Sequence, residues 1–130
     1  MLNLSIINST RTNNFNDKDI MQKITELWKE ASPHLPENEN TYGVYHEYES
    51  DYKGDYSLSI AKEDEIGSIE IPMNAKYKIF YVDTTDEQGV FHAWSNIWEQ
   101  EEAGLIERAY TFDFEKYLPN GEIEIHIAIK

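Results

Sequence analysis

Hydrophobic and polar residues follow two periods along this chain. Leu2, Leu4 and Ile6 alternate with Asn3 and Ser5 and predict a strand over Leu2 to Thr10. After the polar loop Arg11-Thr12-Asn13-Asn14 the spacing changes. Ile20, Met21, Ile24, Leu27, Trp28 and Ala31 recur as one helical stripe, with Asp17 placed to cap it and Pro33 and Pro36 to end it. Thr41 to Glu49 is rich in strand formers, and Tyr56-Ser57-Leu58-Ser59-Ile60-Ala61 alternates. These two predict a hairpin, with Gly54 supplying the unusual backbone angle in its turn.

The second half repeats the order. Ala75 to Val82 predicts a strand; Val90, Phe91, Trp94, Ile97 and Trp98 form a second helical stripe that stops near Gly104. Tyr110 to Tyr117 and Glu122 to Ile129 alternate on either side of the turn Pro119-Asn120-Gly121. The two helical stripes superimpose at a shift of 70, Ile20, Met21, Ile24, Leu27 and Trp28 falling on Val90, Phe91, Trp94, Ile97 and Trp98. The hairpin glycines Gly54 and Gly121 are 67 apart, which sets Tyr56, Leu58 and Ile60 against Ile123, Ile125 and Ile127. A period of this size marks a duplicated unit. The expected fold is therefore α+β. One domain over residues 1–130 holds two pseudo-symmetric strand-helix-strand-strand units, about 1–65 and 70–130, forming antiparallel sheets with one helix each and a shared central groove.

Alternation nominates the groove residues. If Ile123, Ile125, Ile127 and Ile129 face the helix, Glu124 and His126 face the groove. In Tyr110 to Tyr117 the three aromatics Tyr110, Phe112 and Phe114 take the buried face, which leaves Thr111, Asp113 and Glu115 for the groove. A shift of 67 sets Tyr48 against Glu115 and His46 against Asp113. The expectation is an acidic wall from one unit and an aromatic wall of Tyr42, Tyr48 and His46 from the other. A carboxylate close to a packed interior is costly without a partner, so such a group is either exposed or the anchor of a cation site.

Charge narrows the ligand class. The formal net charge is −14, from 25 acidic and 11 basic residues, which argues against nucleic acid as a direct partner and favours cationic solutes. Nine Tyr and three Trp supply ring faces for cations and planar molecules. With no Cys there is no thiolate ligand or nucleophile, and His46 and His126 without a spaced third ligand make no metal site. No metal or cofactor is expected. The first residues carry no basic leader, and no run approaches the length of a membrane span, so the expected location is cytoplasmic. His34 and His92 read as ordinary exposed residues, and Trp28, Trp94 and Trp98 as packing residues.

The ordered set Tyr42-Gly43-Val44-Tyr45, Gly54-Asp55-Tyr56, Ile71-Pro72, Lys76-Tyr77, Ile97-Trp98, Phe114-Glu115-Lys116-Tyr117 and Glu124-Ile125-His126-Ile127-Ala128-Ile129 resembles the GyrI-like effector-binding domains. These occur alone and fused to AraC-type and MerR-type regulators. The resemblance covers nearly the whole chain and implies a stand-alone member whose groove takes cationic, lipophilic or planar aromatic compounds. It implies Glu115 as the charged anchor and, because Ile97-Trp98 is part of the match, Trp98 as the better pocket candidate among the tryptophans; Tyr48, Tyr42, His126, His46, Asp113 and Tyr117 are the other candidate ligand-binding residues. Ala128 stands where the family usually has Pro, and His126 where an aromatic is common. Binding of drugs or effectors, in resistance or transcriptional control, is the first functional expectation. Similar hydrolytic members open cyclopropane rings of DNA-alkylating natural products; for that alternative Glu115 would be the general base, with Tyr48 polarising the leaving group. A third reading is an acidic module that engages a protein partner such as a gyrase.

Overall fold

A computed structural model describes residues 1–130. Strands β1 (Leu2–Thr12), β2 (Thr41–His46), β3 (Tyr56–Glu63), β4 (Ile69–Ile71), β5 (Tyr77–Tyr81), β6 (Asp113–Tyr117) and β7 (Ile123–Ala128) form one antiparallel sheet in the order β4-β1-β3-β2-β6-β7-β5. Helices α1 (Ile20–Ala31) and α2 (Gly89–Glu102) follow β1 and β5. Each half is strand, helix, strand, strand, as the duplication predicts. The halves join through β2 and β6, so the two expected sheets are one.

Val44 pairs directly with Phe114, 70 positions on, so the pseudo-two-fold passes through this pair. Tyr45 then corresponds to Glu115 and Gly43 to Asp113, the same shift that relates the helices. The 67-residue shift holds only for the β3 and β7 strands, where Leu58 pairs with Tyr45 and Ile125 with Glu115. The first hairpin has a connection three residues longer than the second, so Tyr48 is not the counterpart of Glu115.

Partners across an antiparallel ladder share a face. Gly43 pairs with Ile60 and Glu115, and Glu115 with Ile125, so these side chains lie together on the helix-bearing face. Tyr42, Val44, Phe114 and His126 lie on the other. That second face is not a groove. It packs Leu4, Tyr42, Val44, Ala61, Ile69, Ile71 and Phe114 into one cluster, with Tyr77 against it. Strands from both edges of the sheet contribute, so the sheet curls around its own side chains. On the helix face, Leu27 and Ala31 pack on Tyr56, Leu58 and Ile60, and Trp94 and Ile97 pack on Phe80, Ile125 and Ile127.

Three local expectations change. Asp17 does not cap α1; it accepts from Thr12 Oγ1 (2.8 Å), Lys23 Nζ (2.5 Å) and the Asp19 amide (2.9 Å), tying the end of β1 to the helix. The positive backbone angle in the first hairpin belongs to Glu47 (φ 52°), whereas Gly54 has an ordinary φ and a Cβ there would meet the Ser50 hydroxyl. Tyr110 also has a positive φ, 55°, and stands outside β6, which starts only at Asp113.

Candidate functional site

The space between α1 and α2 is a cavity of about 530 Å³. From α1 it is lined by Ile20, Met21, Ile24 and Trp28, and from α2 by Val90, Phe91, Trp94 and Trp98. These are the duplicated helical stripes, so each helix turns one edge of its apolar stripe to its half-sheet and the other to the gap. Met21 is 72% exposed and Phe91 58%, two large apolar side chains at pseudo-equivalent positions on the wall. Tyr45, Tyr48, Tyr52, Tyr56, Tyr117, Arg108 and Glu115 line its floor, and Asn14, Glu87 and Gln88 complete the wall.

Glu115 is 3% exposed and lies beneath this aromatic wall. Its Oε2 accepts from the Tyr45 hydroxyl (2.8 Å) and the Trp94 indole N–H (2.7 Å), and its Oε1 from the Tyr117 hydroxyl (2.6 Å). Gly43 makes room for it, since a Cβ at that position would stand 3.2 Å from Oε1 and 3.3 Å from the Trp28 ring. Trp28 in turn meets Tyr117 edge-on, ring centres 5.0 Å apart. None of the ion pairs in the structure involves Glu115. Burial pushes its pKa above the ordinary 4.5, and the three donors oppose that rise. Beside it, burial and the Glu115 charge raise the pKa of Tyr45 and Tyr117, which stay protonated donors.

Asp113, two residues before, has the opposite surroundings. It is fully buried, accepts from Arg108 Nη2 (2.8 Å), the Tyr48 hydroxyl (2.5 Å) and the Ala128 amide (2.8 Å). Arg108 is itself only 3% exposed. Burial disfavours its charge, but the Asp113 carboxylate outweighs burial and its pKa is raised. Its guanidinium carbon lies 4.4 Å from the centre of the Tyr110 ring and 5.9 Å from those of Tyr48 and Trp94.

The structure thus brings Glu115, Tyr48, Trp98 and Tyr117 to one cavity and sets Asp113 under Arg108 just behind it. Tyr42, His46 and His126 lie across the sheet. Tyr42 donates to Glu63 (3.0 Å), His46 bonds Ser59 (2.7 Å) and stacks on Phe112, and His126 bonds Glu124 (2.9 Å) and stacks on Phe114 at 4.5 Å. Burial lowers the pKa of both histidines. The expected groove had been placed on the wrong face of β6, because its aromatics, not its carboxylates, turn away from the helices. No three His, Asp or Glu side chains stand close enough to hold a metal ion.

Sequence reasoning left out Tyr45, Tyr52, Tyr56 and Arg108, and assigned Trp28 and Trp94 to packing alone. The repeat carried a signal for Tyr45, since the 70-residue shift of the helices maps it onto Glu115. Arg108 is one of two arginines in an acid-rich chain, between Glu107 and Ala109, and its residue type is the one signal that suits it to a buried carboxylate.

No helix is long and apolar enough to cross a membrane. No curated protein matches the chain. Among solved structures, an integron cassette protein from the mobile metagenome of Vibrio cholerae is similar, with 28% identity and a TM-score of 0.70, covering 99% of this chain and 95% of that one. The family match is narrower than the GyrI-like resemblance: residues 3–129 match Cass2, integron-associated effector binding protein, and the chain belongs to that family.

Proposed function

We propose that this protein binds a cationic, aromatic or lipophilic small molecule between its two helices, with Glu115 as the counter-charge. One observation carries the reading: a buried carboxylate under an aromatic cavity, held by three neutral donors and by no cation. Enclosing an ion costs several kcal/mol unless it is paired, so the site is completed by a positive charge from outside the chain. Ring faces of Trp28, Tyr45 and Trp94 add cation–π attraction, worth about 2 kcal/mol where water is excluded.

Binding without turnover fits the site better than hydrolysis. Tyr117 on one oxygen and Tyr45 with Trp94 on the other occupy most of the lone pairs that a general base would use. The family's description as effector binding points the same way. Resistance to a toxic cation, or delivery of an effector to a regulator, is the role we assign to such binding.

Titration of a cationic planar dye into the wild type and Glu115→Gln tests this. The variant should lose about tenfold or more in affinity, a change of about 1.4 kcal/mol or more. Superimposable titration curves would sink the proposal.

A further inference from the structure

Asp113 and Glu115 lie on one face of β6, two residues apart, so their Cα atoms are about 7 Å apart at strand spacing. Each carboxylate is backed by aromatic rings. Around Glu115 these are Tyr45, Trp28, Tyr117 and Trp94; around the Asp113 partner they are Tyr48, Tyr110 and again Trp94. Trp94 belongs to both, donating its N–H to Glu115 while its ring stands against Arg108.

Arg108 is held in an unusual way for a buried arginine. Nη2 bonds Asp113 and, at 3.4 Å, Tyr48, but Nε and Nη1 have no hydrogen-bond partner although both are buried. Nη1 is 3.6 Å from Glu101 Oε1, beyond hydrogen-bond reach. The bonded Asp113 carboxylate, the more distant Glu101 carboxylate and three ring faces do the holding, carboxylate and aromatic chemistry of the kind that the Glu115 side of the cavity offers to a ligand. Arg108 and Tyr48 both line the cavity.

We propose that Arg108 is a resident cation filling the second of two cation seats in the groove, and so restricts the ligand to one positive charge. The proposal rests on the reading of Glu115 as the ligand's counter-charge. Arg108 is then a specificity-determining residue. A second positive charge on the ligand, about one strand repeat from the first, meets the guanidinium and is repelled. Without the guanidinium, Asp113 is left unpaired beside an enlarged cavity, and the groove becomes a site for a dication.

The test titrates benzamidine and benzene-1,4-dicarboxamidine, one aromatic ring carrying one or two amidinium groups, into the wild type, Arg108→Ala and Arg108→Ala/Asp113→Asn. The wild type should bind the dication no better than the monocation. Arg108→Ala should prefer the dication by about tenfold or more, and the double variant should lose that preference. A folded Arg108→Ala with the wild-type ratio, or a double variant that keeps the dication preference, overturns the proposal. If Arg108→Ala does not fold alone, thermal melts with each compound decide: the dication should restore a cooperative transition where benzamidine does not, and failure to do so overturns it. Wild-type protein that ignores benzamidine, or binds it equally well after Glu115→Gln, would instead defeat the reading of Glu115.

Discussion

Asp113 and Glu115 share a strand, a face and almost complete burial, yet the chain supplies Asp113 with a guanidinium and leaves Glu115 with two hydroxyls and an indole. The first arrangement is closed: its charge is neutralised inside the fold. The second has no counter-charge: when Glu115 is ionised it keeps a net negative charge, which hydrogen bonds stabilise without cancelling. The difference arises from what each half of the duplicated chain places around the β2–β6 junction. The 106–110 stretch brings Arg108 to Asp113, while Gly43 on β2 offers Glu115 space in place of a side chain. On the proposed reading, what is missing around the carboxylate separates a ligand anchor from a structural ion pair.

The contrast should be sharpest in stability. Asp113→Asn removes the bonded counter-charge of buried Arg108, leaving only Glu101 at 3.6 Å, and is expected to cost about 3–5 kcal/mol in urea unfolding. Glu115→Gln removes an unpaired charge and keeps an acceptor for the donors, so it should change stability by less than about 1 kcal/mol or stabilise the fold. Equal losses in the two variants would erase the distinction between the seats.

Next in size is the pH dependence of ligand binding. If Glu115 is the ligand's counter-charge, as proposed, a cation binds its ionised form, and burial raises its pKa above 4.5. Affinity should therefore climb as pH rises through that raised value, by up to about tenfold per pH unit below it, and level off above. Glu115→Gln should flatten the curve. For folding the sign is reversed: above its raised pKa the ionised, buried group costs stability, and that cost disappears as pH falls towards 4.5. Trp94→Phe should move the binding midpoint to higher pH, because one donor to the carboxylate is lost, and weaken binding by about tenfold. A midpoint unchanged in this variant would show that the indole does not tune Glu115.

The smallest expected change is at Gly43. Gly43→Ala places a methyl within 3.2 Å of Glu115 Oε1 and 3.3 Å of Trp28, so the carboxylate or the ring must shift by a few tenths of an ångström. Affinity should fall by a few-fold, roughly 1 kcal/mol, with little change in the unfolding midpoint. A larger effect on stability than on binding would assign Gly43 to strand packing.

Much of the fold was legible because its two periods are clean. The helical stripes at Ile20–Ala31 and Val90–Trp98 reflect burial on a single side of each helix, and in β3 and β7 large apolar side chains alternate with small or polar ones, so the sets separate by residue type even though β3 is buried on both faces. The face of β6 was not legible. Both of its sides are buried, Phe114 under the curled sheet and Glu115 under the helices, so alternation separates the two sets without saying which meets α1 and α2. Only the pairing of Glu115 with Ile125 and Gly43 settles it, and a one-residue slip would exchange the sets. Arg108 belongs to no periodic element. Its position depends on the isolated bridge to Ile129, a contact between segments far apart in the sequence.

The central claim is that the charge of Glu115, and not the shape of the cavity alone, selects the ligand. The most direct measurement is a four-way comparison by calorimetry: a cationic planar compound and its uncharged isostere, each against the wild type and Glu115→Gln. The account predicts that the cation's advantage over its isostere, about tenfold or more in the wild type, disappears in the variant. The same advantage in both proteins would contradict it.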